Sequence, residues 1–136
     1  MSERPDLEDV PAELRPQVAA ALTAAGVEAG HLSVELVDEE RIRELNRDHR
    51  DRDAATDVLA FPIDEAEAAG PRELGDVVIC PAHASDVAEA AVHGVLHLCG
   101  YDHERDEGEM LEIQRRVMQS LESQAAAGPE RAEGPR

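Results

Sequence analysis

The sequence predicts an α+β fold, with a small mixed sheet of three to four strands covered by helices. Short apolar segments, DVLAF (57–61) and LGDVVI (74–79), have the length of buried strands, and proline follows each within two residues. A longer segment repeats apolar residues at helical spacing between Met110 and Leu121. With 136 residues, the chain has the length of one domain.

In the first half of the chain, local signals predict two helices separated by a strand. Gly26 is a stop signal after an Ala-rich apolar segment, and Pro16 fits only in the first turn of that helix. Asp38 is placed to cap the second helix. The predicted elements are a flexible N-terminal arm over 1–10, a helix over 14–25, a strand over 32–37, a helix from 39 to about 48 and a polar loop over 50–55.

In the second half, strands and loops give way to helices. Gly70-Pro71 lies in an acidic stretch that reads as a surface loop, and Gly100 is a natural helix C-cap. The predicted elements are strands over 57–61 and 74–79, a loop over 64–73, helices over 82–98 and 107–123, and a disordered tail over 125–136. We therefore expect one domain over residues 11–124.

The composition excludes several classes of function. With one Phe and one Tyr, base stacking on aromatic platforms is nearly ruled out. No apolar run has the length needed to span a bilayer, residues 1–10 lack the apolar core of a secretory signal, and two cysteines outside a CxxC pair suit the cytoplasm. The net charge of −18 argues against non-specific binding to nucleic acid. The one basic cluster comprises Arg41, Arg43, Arg47, Arg50 and Arg52.

Three of the six histidines lie within eleven residues and predict a metal site. His93 and His97 are one helical turn apart, so both rings can face one point. Gly100 can adopt a positive φ and let the chain turn back to present His103. Three imidazoles with a fourth position open are typical of a catalytic metal site, and imidazole suits zinc, although nickel, copper and iron remain open. The alternative is three unrelated histidines on a helix face and a loop.

The spacing HxxxHxxGxxH also occurs in metzincin proteases. In those enzymes the residue after the first histidine is the glutamate general base. Here that residue is Gly94, which cannot accept a proton. The chain therefore keeps the spacing of the metal ligands without the peptidase base.

The segment HGVLHLCGYDH (93–103) resembles the HGxLHLxGYDH motif of the YbeY family, bacterial endoribonucleases of ribosomal RNA maturation. TDVLAFP (56–62) resembles the family's TDVLSFP, and LGDVVI (74–79) resembles its LGDIVI. Leu45-Asn46 followed by Arg50 resembles its LN…R segment. The resemblance covers about residues 32–121. The chain departs from the family pattern at Ala60, in a short stretch over 80–92, and in showing no evident N-terminal strand in residues 1–13.

The resemblance implies a cytoplasmic endoribonuclease with one zinc ion per chain, bound by His93, His97 and His103. It implies cleavage of single-stranded RNA, in maturation of the 3′ end of 16S ribosomal RNA and in ribosome quality control. The expected partners are the small ribosomal subunit and its assembly proteins, with no DNA and no membrane. The candidate catalytic residues are His97 and Arg50. The candidate RNA-binding residues are Arg47, Arg50 and Arg52. Independently of the resemblance, we expect the basic cluster over 41–52 and the metal to form a local positive cleft on an otherwise acidic body.

Two other functions remain open from the sequence. One is a metallohydrolase that acts on a different class of substrate. A peptidase is the less favoured form of this alternative, because Gly94 replaces the glutamate base. The other is a non-enzymatic ribosome assembly factor in which the metal is structural.

Overall fold

The computed structural model describes residues 5–63, 73–101 and 108–133, with side chains up to residue 123. It contains a four-stranded mixed sheet with helices on both faces, which confirms the predicted fold class. The strands are β1 (Pro5–Asp6), β2 (Gly30–Leu36), β3 (Val58–Pro62) and β4 (Glu73–Ile79). The helices are α1 (Arg15–Ala24), α2 (Glu39–Arg50), α3 (Val87–Leu98) and α4 (Glu109–Glu133), with a short 3₁₀ turn (Ala12–Leu14) before α1.

The strand order is β1-β2-β4-β3, so β4 lies between β2 and β3. β2 runs parallel to both β1 and β4, whereas β3 runs antiparallel to β4. Leu36 pairs with Ile79 at one end of the parallel register, and Val58 pairs with the same Ile79 on the other side. Ile79 of β4 therefore has a paired residue in both neighbouring strands, at the end of the sheet where β3 begins.

Alternation along the strands divides the apolar residues between two cores. Val77 and Ile79 of β4 point to the face covered by α1, α3 and α4. Val78 and Cys80 point to the opposite face, where they pack with Leu59 of β3 and Ile42 of α2. The three-layer arrangement places the histidine-bearing helix α3 and the arginine-bearing helix α2 on opposite faces of the sheet.

Aspartate caps fix where α2 and α3 begin. The Asp38 carboxylate accepts from the backbone N–H of Arg41 at 2.8 Å, as the sequence predicted. The Asp86 carboxylate accepts from the N–H of Glu89 at 3.1 Å, so α3 begins at Val87 and not at residue 82. The predicted start was wrong because Ala-rich sequence suits a helix interior, whereas Pro81, Ala82 and His83 form a turn here.

The prediction of a flexible N-terminal arm is wrong for the part of it that the structure describes. Pro5–Asp6 pair with Gly30 and His31 as strand β1, and Val10 is 2% exposed. The Arg15 Nε–H donates to the Val10 carbonyl at 2.9 Å. Burial of Val10 and pairing with a distant strand hold this segment, although its own composition is polar.

His31 joins three segments of the chain through two carboxylates. Its Nε2 lies 2.7 Å from Asp9 Oδ2, and its Nδ1 lies 2.7 Å from Glu73 Oε2. The hydrogen bonds to Asp9 and Glu73, in that order of size, raise the pKa of His31 from its ordinary 6.5 to about 9. The cationic ring therefore fastens the N-terminal segment and the start of β4 to β2.

The C-terminal part also differs from its prediction. The backbone of α4 continues to Glu133, whereas a disordered tail was predicted from residue 125. Ala125–Ala127 are strong helix formers and prolong the helix. The predicted loop over 64–73 lies outside the described residues, apart from Glu73, which belongs to β4. None of the helices in the described part combines the length and apolar character needed to cross a membrane.

Candidate metal centre

Helix α3 brings two of the three predicted metal ligands together. Ala91, Val92, Val95 and Leu96 are 0% exposed and form the face of α3 that packs on the core. His93 and His97 lie on the neighbouring face and are half-buried. Their ring centroids are 4.8 Å apart at an interplanar angle of 74°. Apolar packing thus fixes the helix in an orientation that presents both imidazoles at one place.

Gly94 explains how closely α3 approaches the sheet. A Cβ at this position would lie 2.6 Å from Val77 Cγ1 and 3.3 Å from Val58 Cγ2. Both neighbours are β-branched residues of the sheet, so they have little freedom to move away. The peptidase base of the metzincin pattern would have no room here, which supports the interpretation drawn from the sequence.

A hydrogen-bonded chain fixes the ring of His93. The Nδ1 of His93 lies 2.8 Å from Gln114 Oε1 of α4. The Nε2 of Gln114 donates in turn to Glu89 Oε2 at 3.2 Å. Because a carboxylate only accepts, the amide N must face Glu89 and the amide O must face His93. Nδ1 therefore donates to Gln114, which leaves Nε2 as the ring nitrogen that can serve as a metal ligand.

Beyond His97, the chain leaves α3 in the way the sequence predicted. Gly100 has φ of 102°, and its N–H donates to the carbonyl of His97 at 3.0 Å. The N–H of Tyr101 donates to the carbonyl of Leu96 at 3.1 Å. These two bonds form a Schellman motif, which reverses the chain after the second histidine. His103, the third predicted ligand, lies outside the described residues and stays a prediction.

The two imidazoles that the structure describes are ligands of a kind that zinc takes, and a ligand histidine commonly donates through its other ring nitrogen, as His93 does to Gln114. Within the described residues, no group of three or more His, Cys, Asp or Glu side chains could hold a metal ion, so the third ligand stays a prediction. The cleft beside His93 has a volume of about 180 Å³. The polar residues that line it are Asp57, Ser85, Asp86, Glu89, His93 and Gln114. Its carboxylates favour a cation over a bare phosphate.

The arginines divide into two groups by their partners. Arg41 pairs with Glu44 at 3.2 Å, Arg43 with Asp53 at 2.7 Å, and Arg47 with Asp48 at 3.4 Å. The hydrogen bond between Arg43 and Asp53 lowers the pKa of Asp53 and raises that of Arg43. Neither Arg50 nor Arg52 makes a side-chain ion pair within the described part of the chain.

Arg50 is the last residue of α2, because Asp51 adopts a left-handed conformation (φ 62°) and ends the helix. The segment 50–55 predicted as a loop therefore begins one residue later. Among described residues, no arginine lines the cleft beside His93. The segment 51–57 connects the two regions, since it follows Arg50 and ends at Asp57, which does line the cleft. The predicted roles of Arg47, Arg50 and Arg52 remain predictions.

Glu89 and Gln114 were not among the site residues predicted from the sequence. Gln114 lies among the apolar residues of α4, between Met110 and Val117, which are 0% and 5% exposed. A polar residue on an apolar face is a signal that could have indicated a buried partner. Glu89 precedes His93 by one helical turn, which could have suggested that the two share a face.

Comparison with protein families gives a match over most of the chain. Residues 6–122 match the family model described as Endoribonuclease YbeY. A relative of that name from Anaeromyxobacter dehalogenans is 47% identical over 116 residues, covering 76% of this chain and 60% of its own length. One from Bacillus mycoides is 42% identical, covering 69% of this chain and 74% of its own length. The match therefore spans less than two thirds of the first of these relatives.

A solved structure shows the same fold. The solution structure of a Thermotoga maritima protein aligns with a TM-score of 0.53 and 28% sequence identity. The alignment covers 88% of this chain and 85% of that protein.

Proposed function

This chain belongs to the YbeY family, and on that premise we propose that it is a zinc-dependent endoribonuclease that cleaves single-stranded RNA. The observation that carries the proposal is the pair of half-buried histidines on α3, whose ring centroids lie 4.8 Å apart. The relatives are named endoribonucleases, and the His-rich segment lies within the matched residues.

In the proposed reaction, the histidines of α3 hold a cation, and the arginines at the end of α2 hold phosphates of the same RNA strand. A zinc ion on His93, His97 and His103 would supply a Lewis acid for the scissile phosphodiester. Arg50 and Arg52 bind the phosphates of the substrate, because a guanidinium can donate to two phosphate oxygens and neither side chain is tied to a described carboxylate. Arg47 contributes less, since Asp48 already neutralises it. The nucleophile is water or the 2′-hydroxyl of the substrate, and the product termini distinguish the two.

The charge of the protein bears on its partners. At −18, the body repels free RNA, and the carboxylates around the cleft add to that repulsion. We therefore propose that the small ribosomal subunit and assembly proteins present the substrate, the 3′ end of 16S ribosomal RNA. Ribosome quality control in the cytoplasm is the proposed setting, and the two free cysteines are compatible with it. DNA and membranes are not proposed as partners.

The test is a cleavage assay on single-stranded ribosomal RNA and on small ribosomal subunits, with zinc-loaded protein. His97→Ala removes a proposed ligand, and His83→Ala is the matched control, because His83 lies in the turn before α3 and contacts Glu39. We expect cleavage by the parent and by His83→Ala, and none by His97→Ala. Binding to subunits without cleavage by any protein would contradict the enzyme and favour an assembly factor. Equal cleavage by all three would show that the activity does not depend on the metal centre.

A further inference from the structure

Gln114 occupies a position where helix packing favours an apolar side chain. It lies four residues after Met110 and three before Val117, both buried in the core between α1, α3 and α4. The Gln114 side chain itself is half-buried at the cleft beside His93, where both ends of its amide can find hydrogen-bond partners. Both ends are hydrogen-bonded: Oε1 contacts His93 Nδ1 at 2.8 Å and Nε2 contacts Glu89 Oε2 at 3.2 Å.

We propose that Gln114 is a positioning residue of the metal centre, with Glu89 as its own positioning partner. This inference rests on the proposed metal-dependent function. Gln114 acts through His93, whose tautomer and ring orientation it sets from a different helix. The metal centre is thereby tied to the packing of α4 on α3.

The direction of the two hydrogen bonds of Gln114 decides which nitrogen of His93 donates. Without Glu89, the amide of Gln114 could rotate and present its N–H₂ to His93, which would favour a proton on Nε2. The Glu89 carboxylate excludes that rotamer, because it would face the amide oxygen. Gln114 and Glu89 therefore hold His93 with its proton on Nδ1 before a metal ion binds. Metal binding then requires no change in the tautomer of His93.

The experiment measures zinc affinity by competition with a chromogenic chelator. Gln114→Leu removes both hydrogen bonds and keeps the size of the side chain. Gln114→Glu keeps an oxygen that accepts from Nδ1. Gln119→Leu is the matched control, since Gln119 is an exposed glutamine of the same helix. We expect affinity to fall about 10- to 100-fold in Gln114→Leu, to recover only in part in Gln114→Glu, whose carboxylate accepts from His93 but repels Glu89, and to be unchanged in Gln119→Leu.

Two further readouts separate positioning from structural support. Unfolding of the metal-free proteins by urea should show Gln114→Leu as stable as the parent or more so, because leucine suits an apolar helix face. The ¹⁵N shifts of the His93 ring in metal-free protein should report a proton on Nδ1 in the parent and a move towards Nε2 in Gln114→Leu.

The outcomes distinguish this inference from the proposed function. If His97→Ala abolishes zinc binding but Gln114→Leu binds like the parent with an unchanged tautomer, the inference is overturned and the metal centre stands. If Gln114→Leu weakens binding only as much as it lowers stability, its role is structural and the inference is again overturned. If the parent and His97→Ala take up zinc alike, the metal centre fails and the inference with it.

Discussion

The two contacts of His31 with Asp9 and Glu73, which we call the His31 clamp, predict that the stability of the protein falls as the pH rises above neutrality. The folded pKa of His31 is about 9, above the 6.5 of an unfolded chain. A raised pKa means that the folded state binds the proton more tightly. The contribution is therefore complete below pH 6.5 and is lost as the pH rises from 6.5 through 9.

The magnitude follows from the shift and from solvent screening. A shift from 6.5 to about 9 corresponds to an upper limit of about 3 kcal/mol. The side chains of Asp9 and Glu73 are 60% and 37% exposed, so water screens both pairs. The measurable part is about 1 kcal/mol, the sum of two exposed ion pairs.

The assay is urea unfolding of the parent and of His31→Gln at several pH values between 6 and 10. Glutamine removes the titrating charge and keeps an amide donor. We expect the variant to be about 1 kcal/mol less stable near pH 6 and equal to the parent near pH 10. His83→Gln, which breaks a single exposed pair with Glu39, serves as the control. A difference between parent and His31→Gln that stays constant over this range, or grows with pH, would refute the reasoning.

Three further predictions concern packing, capping and RNA binding. Gly94→Ala should lower the free energy of unfolding by about 1 to 3 kcal/mol, because its Cβ meets Val77. Asp86→Ala should cost about 1 kcal/mol through loss of the α3 cap, measured in the same way. Arg50→Ala should weaken binding of single-stranded RNA and reduce the salt slope by about 0.7, measured by fluorescence anisotropy, whereas Arg41→Ala should have a smaller effect.

Each of these predictions has a control and a contrary outcome. The control for Gly94→Ala is Ala88→Gly, which lowers helix propensity in α3 without adding atoms. If Gly94→Ala stabilised the protein, the close approach of α3 to Val77 would not require glycine at this position. Asp86→Asn preserves an accepting oxygen and should retain the cap. If Arg50→Ala and Arg41→Ala reduce the salt slope equally, the ion pair with Glu44 does not keep Arg41 from binding RNA, and the prediction is wrong.

Features set by local signals were predicted well from the sequence. Asp38 caps α2 and Gly26 and Gly100 take positive φ, because each acts through backbone geometry within a few residues. The pair His93 and His97 was predictable for the same reason, since helical spacing alone brings the rings together.

Features that depend on distant partners were not predictable. Strand β1 has two residues, and only its pairing with β2 makes it a strand. His31 contacts carboxylates 22 and 42 residues away in the chain. Gln114 contacts His93 across 21 residues of chain and a turn. No local pattern records such contacts, which form only when helices and strands have packed.

The parallel pairing of β2 with β4 has a consequence for how the chain folds. Its register joins residues about 40 positions apart, so a large loop must close before any of its hydrogen bonds form. The antiparallel pairing of β3 with β4 needs a shorter closure, and helices form faster still. β1 can add only once β2 is in place, and the His31 clamp needs both β4 and the N-terminal segment. We therefore expect the contacts at the amino end to form last, to open first and to exchange their amide protons fastest, which hydrogen exchange can measure.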